Sequence, residues 1–86
     1  MKLHDMYITG AGNIIEVADL GKDDVTFHRV GYFDTLDNYI ETHDGFWARI
    51  SRTLAEERIA VGEFEPALRL IGGLIVSESA YLNSKA

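Results

Sequence analysis

The sequence predicts an α+β fold, in which an N-terminal three-stranded antiparallel meander packs against two C-terminal helices. Two glycine-containing turn signals separate three apolar runs in residues 1–33, and such closely spaced turns favour hairpins. In residues 44–59 the apolar side chains recur at steps of three and four, which is typical of an amphipathic helix. The 86 residues are expected to form one domain, with 1–33 as the meander and 34–86 mainly helical.

The meander is predicted from its turns. Gly-Ala-Gly-Asn at residues 10–13 separates a short strand over 6–9 from a strand over 14–20. Gly-Lys-Asp-Asp at residues 21–24 precedes a third strand over 25–33 that is rich in β-branched and aromatic residues. Two glycines spaced as Gly10-x-Gly12 also occur in nucleotide-binding loops, but such loops lead into a helix. A strand follows here, so a hairpin turn is favoured.

A spaced pattern runs through the same region as Asp5-x-Tyr7, Gly12, Val17 and Val25-x-Phe27-x-Arg29-x-Gly31-Tyr32. This pattern resembles that of an uncharacterised family of short prophage-borne proteins. The resemblance implies a small SH3-like or meander β-domain and a phage or prophage accessory role, and it implies no reaction. It covers residues 5–32 only, and the long C-terminal half departs from the family's pattern.

The main helix is predicted over residues 44–59. Its apolar stripe contains Phe46, Trp47, Ile50, Leu54 and Ala55. A large aromatic on that stripe needs a surface to cover it, so we expect the segment bearing Trp47 to lie across the meander. Residues 34–42 fit either a helical turn capped by Asp34 or Thr35 or a loop before this helix. Gly62 is the expected stop.

The second helix is predicted over residues 66–82, with Pro66 in the first helical position. The pair Gly72-Gly73 complicates this interpretation, because glycine is unfavourable inside a helix. The pair marks either a close helix–helix contact or a break, after which residues 74–82 would form a strand. The apolar spacing favours the helix. Its all-round apolar character over residues 67–76 predicts a homodimer through the C-terminal half.

Charge is distributed unevenly along the chain. The net charge of −6 belongs wholly to residues 1–48, whereas residues 49–86 are neutral. An acidic half disfavours attraction to nucleic acid or anionic membranes and matches a basic protein partner. The predicted partner-binding residues are Asp34, Asp37, Glu41, Asp44 and Trp47. The alternative is that these acids form a solvated face that keeps the protein soluble.

Several chemistries lack sequence support. Without cysteine there is no disulfide or thiolate site. The histidines His4, His28 and His43 could form a metal site with Asp5, Glu41 and Asp44, but no pair has an established zinc spacing. The serines Ser51, Ser77 and Ser79 lack a nucleophile elbow. We therefore expect no enzyme, and no catalytic, metal or cofactor-binding residues.

The N-terminus has no apolar h-region, and the longest apolar run, over residues 70–76, is far shorter than a membrane helix. A cytoplasmic location is therefore expected.

These observations predict a non-enzymatic protein-interaction or regulatory module that acts on a protein partner through the acidic surface or the aromatic helix. The resemblance implies a phage or prophage origin for it. One alternative is a nucleic-acid-binding β-domain that stacks bases on its aromatic side chains, although core packing explains those side chains better. Another is a small metal-dependent enzyme that uses His43 and its acidic neighbours.

Overall fold

The computed structural model describes residues 1–84, which form a six-stranded antiparallel sheet and two short helices. The elements are β1 (Met6–Thr9), β2 (Asn13–Leu20), β3 (Asp24–Phe33), β4 (Tyr39–Ser51), α1 (Arg52–Ala60), β5 (Phe64–Arg69), β6 (Ile75–Ser77) and α2 (Glu78–Ser84). The strand order is β4-β3-β2-β1-β5-β6, so the first four strands form a meander and α1 carries the chain across to the other side of β1. The α+β class is confirmed.

The two predicted hairpin turns are present. In the first, the Gly12 N–H donates to the Thr9 carbonyl at 2.9 Å, and in the second the Gly21 N–H donates to the Asp24 carbonyl at 2.9 Å. The sheet nevertheless does not stop at three strands. Three more strands extend it, β4 beside β3 and β5 with β6 beside β1, so the predicted three-stranded meander and the mainly helical region after residue 33 are both wrong.

The helix predicted over residues 44–59 is wrong for its first half. Residues 44–51 belong to β4, which pairs with β3 and places Ala48 opposite Phe27. Gly45 has a φ of +78°, which a helix interior does not allow. Only α1 is helical, beginning after Ser51, whose Oγ accepts the Leu54 N–H at 3.1 Å. It ends just before Gly62, as predicted.

The second predicted helix is also wrong. Residues 64–69 form β5 beside β1, and residues 75–77 form β6 beside β5. Gly72 and Gly73 both have positive φ, so they form a turn between the two strands rather than a helix interior. Pro66 is accommodated because pairing with β6 begins only at Ala67, which leaves β5 an edge on that side.

Two apolar clusters cover the two faces of the sheet. The larger contains Tyr7, Ile15, Val17, Val25, Phe27, Ala55 and Phe64, and α1 covers it through Ala55. The smaller is built from Ile14, Ala67 and Ile75, with Ile8, Phe33 and Tyr39 packed against it. Successive strand residues point to opposite faces, so the adjacent and fully buried Ile14 and Ile15 serve different clusters.

Candidate functional site

The acidic region begins at the turn between β3 and β4. The Asp34 carboxylate Oδ1 accepts the N–H groups of Leu36 and Asn38, both at 2.9 Å. The Asp34 N–H also donates to the Asn38 carbonyl at 3.0 Å. Asp37 adopts a φ of +60°, which Asp and Asn tolerate better than most residues. Residues 34–38 therefore form a hydrogen-bonded turn. Of the two conformations predicted for residues 34–42, the loop is observed for 34–38 only, because residues 39–42 belong to β4.

These hydrogen bonds favour the ionised form of Asp34. The main-chain N–H of Asn38 lowers the pKa of Asp34 most, followed by that of Leu36 and then by the Asn38 side-chain amide. The turn thereby fixes a negative charge at the start of the acidic region.

The lowered pKa of Asp34 can be tested by titration. A carboxyl-carbon NMR titration is expected to place the Asp34 midpoint below the ordinary aspartate value of about 3.9. Because the folded pKa is lowered, the stabilisation is present above about pH 3.9 and is lost as the pH falls through the folded pKa. In Asn38→Ala both main-chain donors remain, so the midpoint should stay low. A midpoint at or above the ordinary value in wild-type protein would contradict this geometry.

Glu41 and Asp44 follow on β4, the edge strand of the sheet. Glu41 lies opposite Gly31 and is exposed. Asp44 is neutralised, because Arg29 Nε donates to its Oδ2 at 2.6 Å. Arg29 also donates to the Asn13 side-chain oxygen at 2.9 Å and is fixed in place by that bond. Asp44 therefore contributes less to an attractive field than its charge suggests.

The other three acids keep their charges uncompensated. Among residues 1–84, no ion pair involves Asp34, Asp37 or Glu41, although ion pairs do form at several other carboxylates. We define the acidic segment as Asp34, Asp37, Glu41 and Asp44.

Trp47 packs against an apolar cluster and is not part of the acidic segment. Its ring is partly buried in the larger cluster, where the ring centroids of Phe27 and Phe64 lie 6.4 and 6.0 Å away. The expected cover over the tryptophan therefore exists, but the residue lies on a strand rather than on a helix. Its neighbour Phe46, which the helical pattern placed on the same stripe, is 66% exposed instead. Partner binding through Trp47 stays a prediction.

Beside the acidic segment lies an apolar groove that the sequence did not reveal. It has a volume of about 440 Å³, and its apolar lining consists of Ile8, Phe33, Tyr39, Leu74, Ile75 and Val76. Asp37 and Ser77 supply its polar lining. We call it the β4–β6 groove, because it lies between the β3–β4 hairpin and β6. Its walls come from segments far apart in sequence, so no local pattern could have identified it.

The histidines and serines have ordinary positions. His28 lies opposite Glu16 in the sheet, and His4 Nδ1 is 3.7 Å from a Glu16 carboxylate oxygen. Within residues 1–84, no three His, Asp or Glu side chains are grouped closely enough to hold a metal ion. Ser51 caps α1, and Ser79 donates to Glu65 at 2.8 Å. These contacts assign structural roles to both serines.

Comparisons with known proteins identified no relative of this chain. Neither the protein-family models, nor the curated proteins, nor the solved structures gave a significant match to this chain. In the described part of the chain, neither α1 nor α2 has the length and apolar character needed to cross a membrane.

Proposed function

We propose that this protein is a non-enzymatic interaction module that binds a basic, extended segment of a protein partner along the acidic segment and the open edge of β4. The observation that carries the proposal is the set of uncompensated carboxylates at Asp34, Asp37 and Glu41. Complementary charge raises the rate of association and disfavours acidic competitors.

The edge of β4 supports the same proposal. In the described chain β4 pairs only with β3, so its outer backbone N–H and C=O groups have no strand beside them. An extended peptide can add to such an edge through main-chain hydrogen bonds. The register shifts near Val30 and Trp47 interrupt this edge and shorten the stretches with which any added strand can pair. A partner segment can therefore form backbone hydrogen bonds with the edge of β4 while its basic side chains are attracted to the carboxylates.

The predicted self-association is independent of the proposed binding of a basic partner. The predicted homodimer depended on an all-round apolar helix over residues 67–76, and residues 64–69 and 75–77 are strands instead. Ala67 and Ile75 fill the smaller cluster, whereas Ile71 and Leu74 remain exposed. A homodimer through the C-terminal half stays a prediction, and sedimentation at several concentrations tests it.

The proposed function predicts loss of binding to a basic peptide. The probe is a fluorescent 12-residue peptide of alternating lysine and valine, measured by anisotropy at low salt. In the triple variant Asp34→Asn, Asp37→Asn, Glu41→Gln, we expect the Kd to rise about tenfold or more, because three attractive charges are removed. Asparagine keeps the oxygen that caps the turn and tolerates the positive φ of residue 37.

The matched control removes the same charges elsewhere. Asp19, Asp23 and Glu57 are exposed, and the triple variant Asp19→Asn, Asp23→Asn, Glu57→Gln has the same net charge as the test variant. Its Kd should stay within about threefold of wild type, since only long-range charge changes. Equal weakening in both variants, or no binding of the basic peptide by the wild-type protein, would overturn the proposal.

A further inference from the structure

We infer that the β4–β6 groove receives one large apolar side chain of the partner segment, and that a lysine or arginine next to that side chain reaches Asp37. This inference rests on the proposed function and names the sequence chemistry that the partner must have. It differs from that function in requiring a specific apolar anchor and not charge alone.

The groove is large enough to hold an apolar side chain. Its volume of about 440 Å³ falls within the roughly 300–1,000 Å³ that is usual for ligand pockets. One wall is the cross-strand pair Phe33 and Tyr39, whose rings meet edge to face with centroids 6.3 Å apart. Ile75 belongs to the smaller cluster and is fully buried, so the groove is backed by rigid packing.

Another part of the groove lining is exposed to solvent. Leu74 is 49% exposed and lies beside Val76 along the groove. An exposed leucine at the entrance of an apolar groove gains buried area when an apolar side chain enters. Leu74 is therefore the residue whose truncation should weaken an anchored peptide with the least effect on the fold.

The charge of the groove lining determines which residue of the partner can lie next to its apolar side chain. Asp37 is the charged residue of the lining, and no lysine or arginine among residues 1–84 lines the groove. Asp34 lies in the same turn and is held ionised by the main-chain N–H groups of Leu36 and Asn38. A basic residue adjacent to the anchor is thus matched to the groove, whereas an acidic one is repelled. The occupant is an apolar–basic peptide segment rather than a wholly apolar surface.

The test is a double-mutant cycle between protein and peptide. Two peptides share a lysine-rich sequence and differ at one central position, which is leucine in one and alanine in the other. On the wild-type protein we expect the leucine peptide to bind roughly tenfold more tightly, as burial of one apolar side chain allows. In Leu74→Ser this advantage should fall below about twofold, because the two changes remove one shared contact.

Leu82→Ser is the matched control. Leu82 lies on α2, is 57% exposed and does not line the groove, so this variant should keep the tenfold advantage of the leucine peptide. A second arm replaces the flanking lysine with glutamate in the leucine peptide. The wild-type protein should prefer the lysine form, and Asp37→Asn should reduce that preference at least threefold.

The outcomes separate this inference from the proposed function. If both peptides bind equally and the acidic triple variant still weakens them, the groove inference fails and the proposed function stands. If neither peptide binds, both fail. If the wild-type protein sediments as a dimer that Leu74→Ser dissociates, a second copy occupies the groove and the inference is overturned.

Discussion

Replacing Phe27 with alanine is expected to lower the free energy of unfolding by about 3–5 kcal/mol, the usual cost of emptying a fully buried phenylalanine site. Phe27 is completely buried, and its ring centroid lies 5.5 Å from that of Phe64 and 6.3 Å from that of Tyr7. A small domain has a total stability of about 5–15 kcal/mol, so this single cavity removes a large share of it. Urea unfolding followed by Trp47 fluorescence measures the loss.

Phe46→Ala is the control for the Phe27 variant. Phe46 is 66% exposed, so its truncation should change the free energy of unfolding by less than about 0.5 kcal/mol. The comparison also tests the conformation of β4. In the helix that the sequence pattern predicts, Phe46 would share a buried stripe with Trp47, and both substitutions would be costly. A loss for Phe46→Ala as large as that for Phe27→Ala would contradict the strand.

The strand β4 was predicted as a helix because a bulge imitates helical spacing. Trp47 has no partner in the register with β3, and this extra residue shifts the alternation of side chains. Trp47 and Ile50 therefore pack against the same cluster although they are three residues apart. On a regular strand, residues three apart point to opposite faces. A bulged strand can therefore place apolar side chains at the same spacing as an amphipathic helix, and the sequence alone does not distinguish the two.

Local turn chemistry was predictable, and long-range pairing was not. The hairpin turns and the end of α1 at Gly62 depend on residues within one turn of each other, so the sequence indicates them directly. The strand β5 depends instead on β1, where Met6 lies opposite Ala67. Pro66 and the apolar residues after it also suit a helix start, and no local signal identifies that partner strand.

In the candidate site too, the local features were predictable from the sequence and the long-range contacts were not. The acids of the acidic segment lie close together along the chain, so their shared charge is recognisable from the sequence alone. The groove beside them forms only when Ile8, Phe33 and Leu74 come together, and these residues belong to separate parts of the chain. The partial burial of Trp47 follows from the bulge in β4, whereas its part in partner binding stays a prediction.

Gly31→Ala is expected to lower the free energy of unfolding by about 1–3 kcal/mol, the usual cost of overpacking. Gly31 is buried on β3, and a Cβ atom there would lie 2.8 Å from Tyr39 Cε2 and 2.9 Å from the Ile40 carbonyl oxygen. The Tyr39 ring can turn aside, but the Ile40 backbone can move only if the pairing of β3 with β4 is disturbed. The same urea titration measures this loss.

Gly10→Ala is the matched control, because a Cβ atom at Gly10 meets nothing within 4 Å. Its φ is not in the left-handed region, so we expect no loss, or a gain of up to about 1 kcal/mol from the stiffer unfolded chain. Gly31→Ala has a further consequence, since displacement of the Tyr39 ring removes one wall of the groove. It should therefore weaken the leucine peptide more than the alanine peptide under conditions where the variant is fully folded. A Gly31→Ala protein as stable as Gly10→Ala would mean that the Tyr39 ring does not pack on Gly31, and the groove would then lack one of its walls.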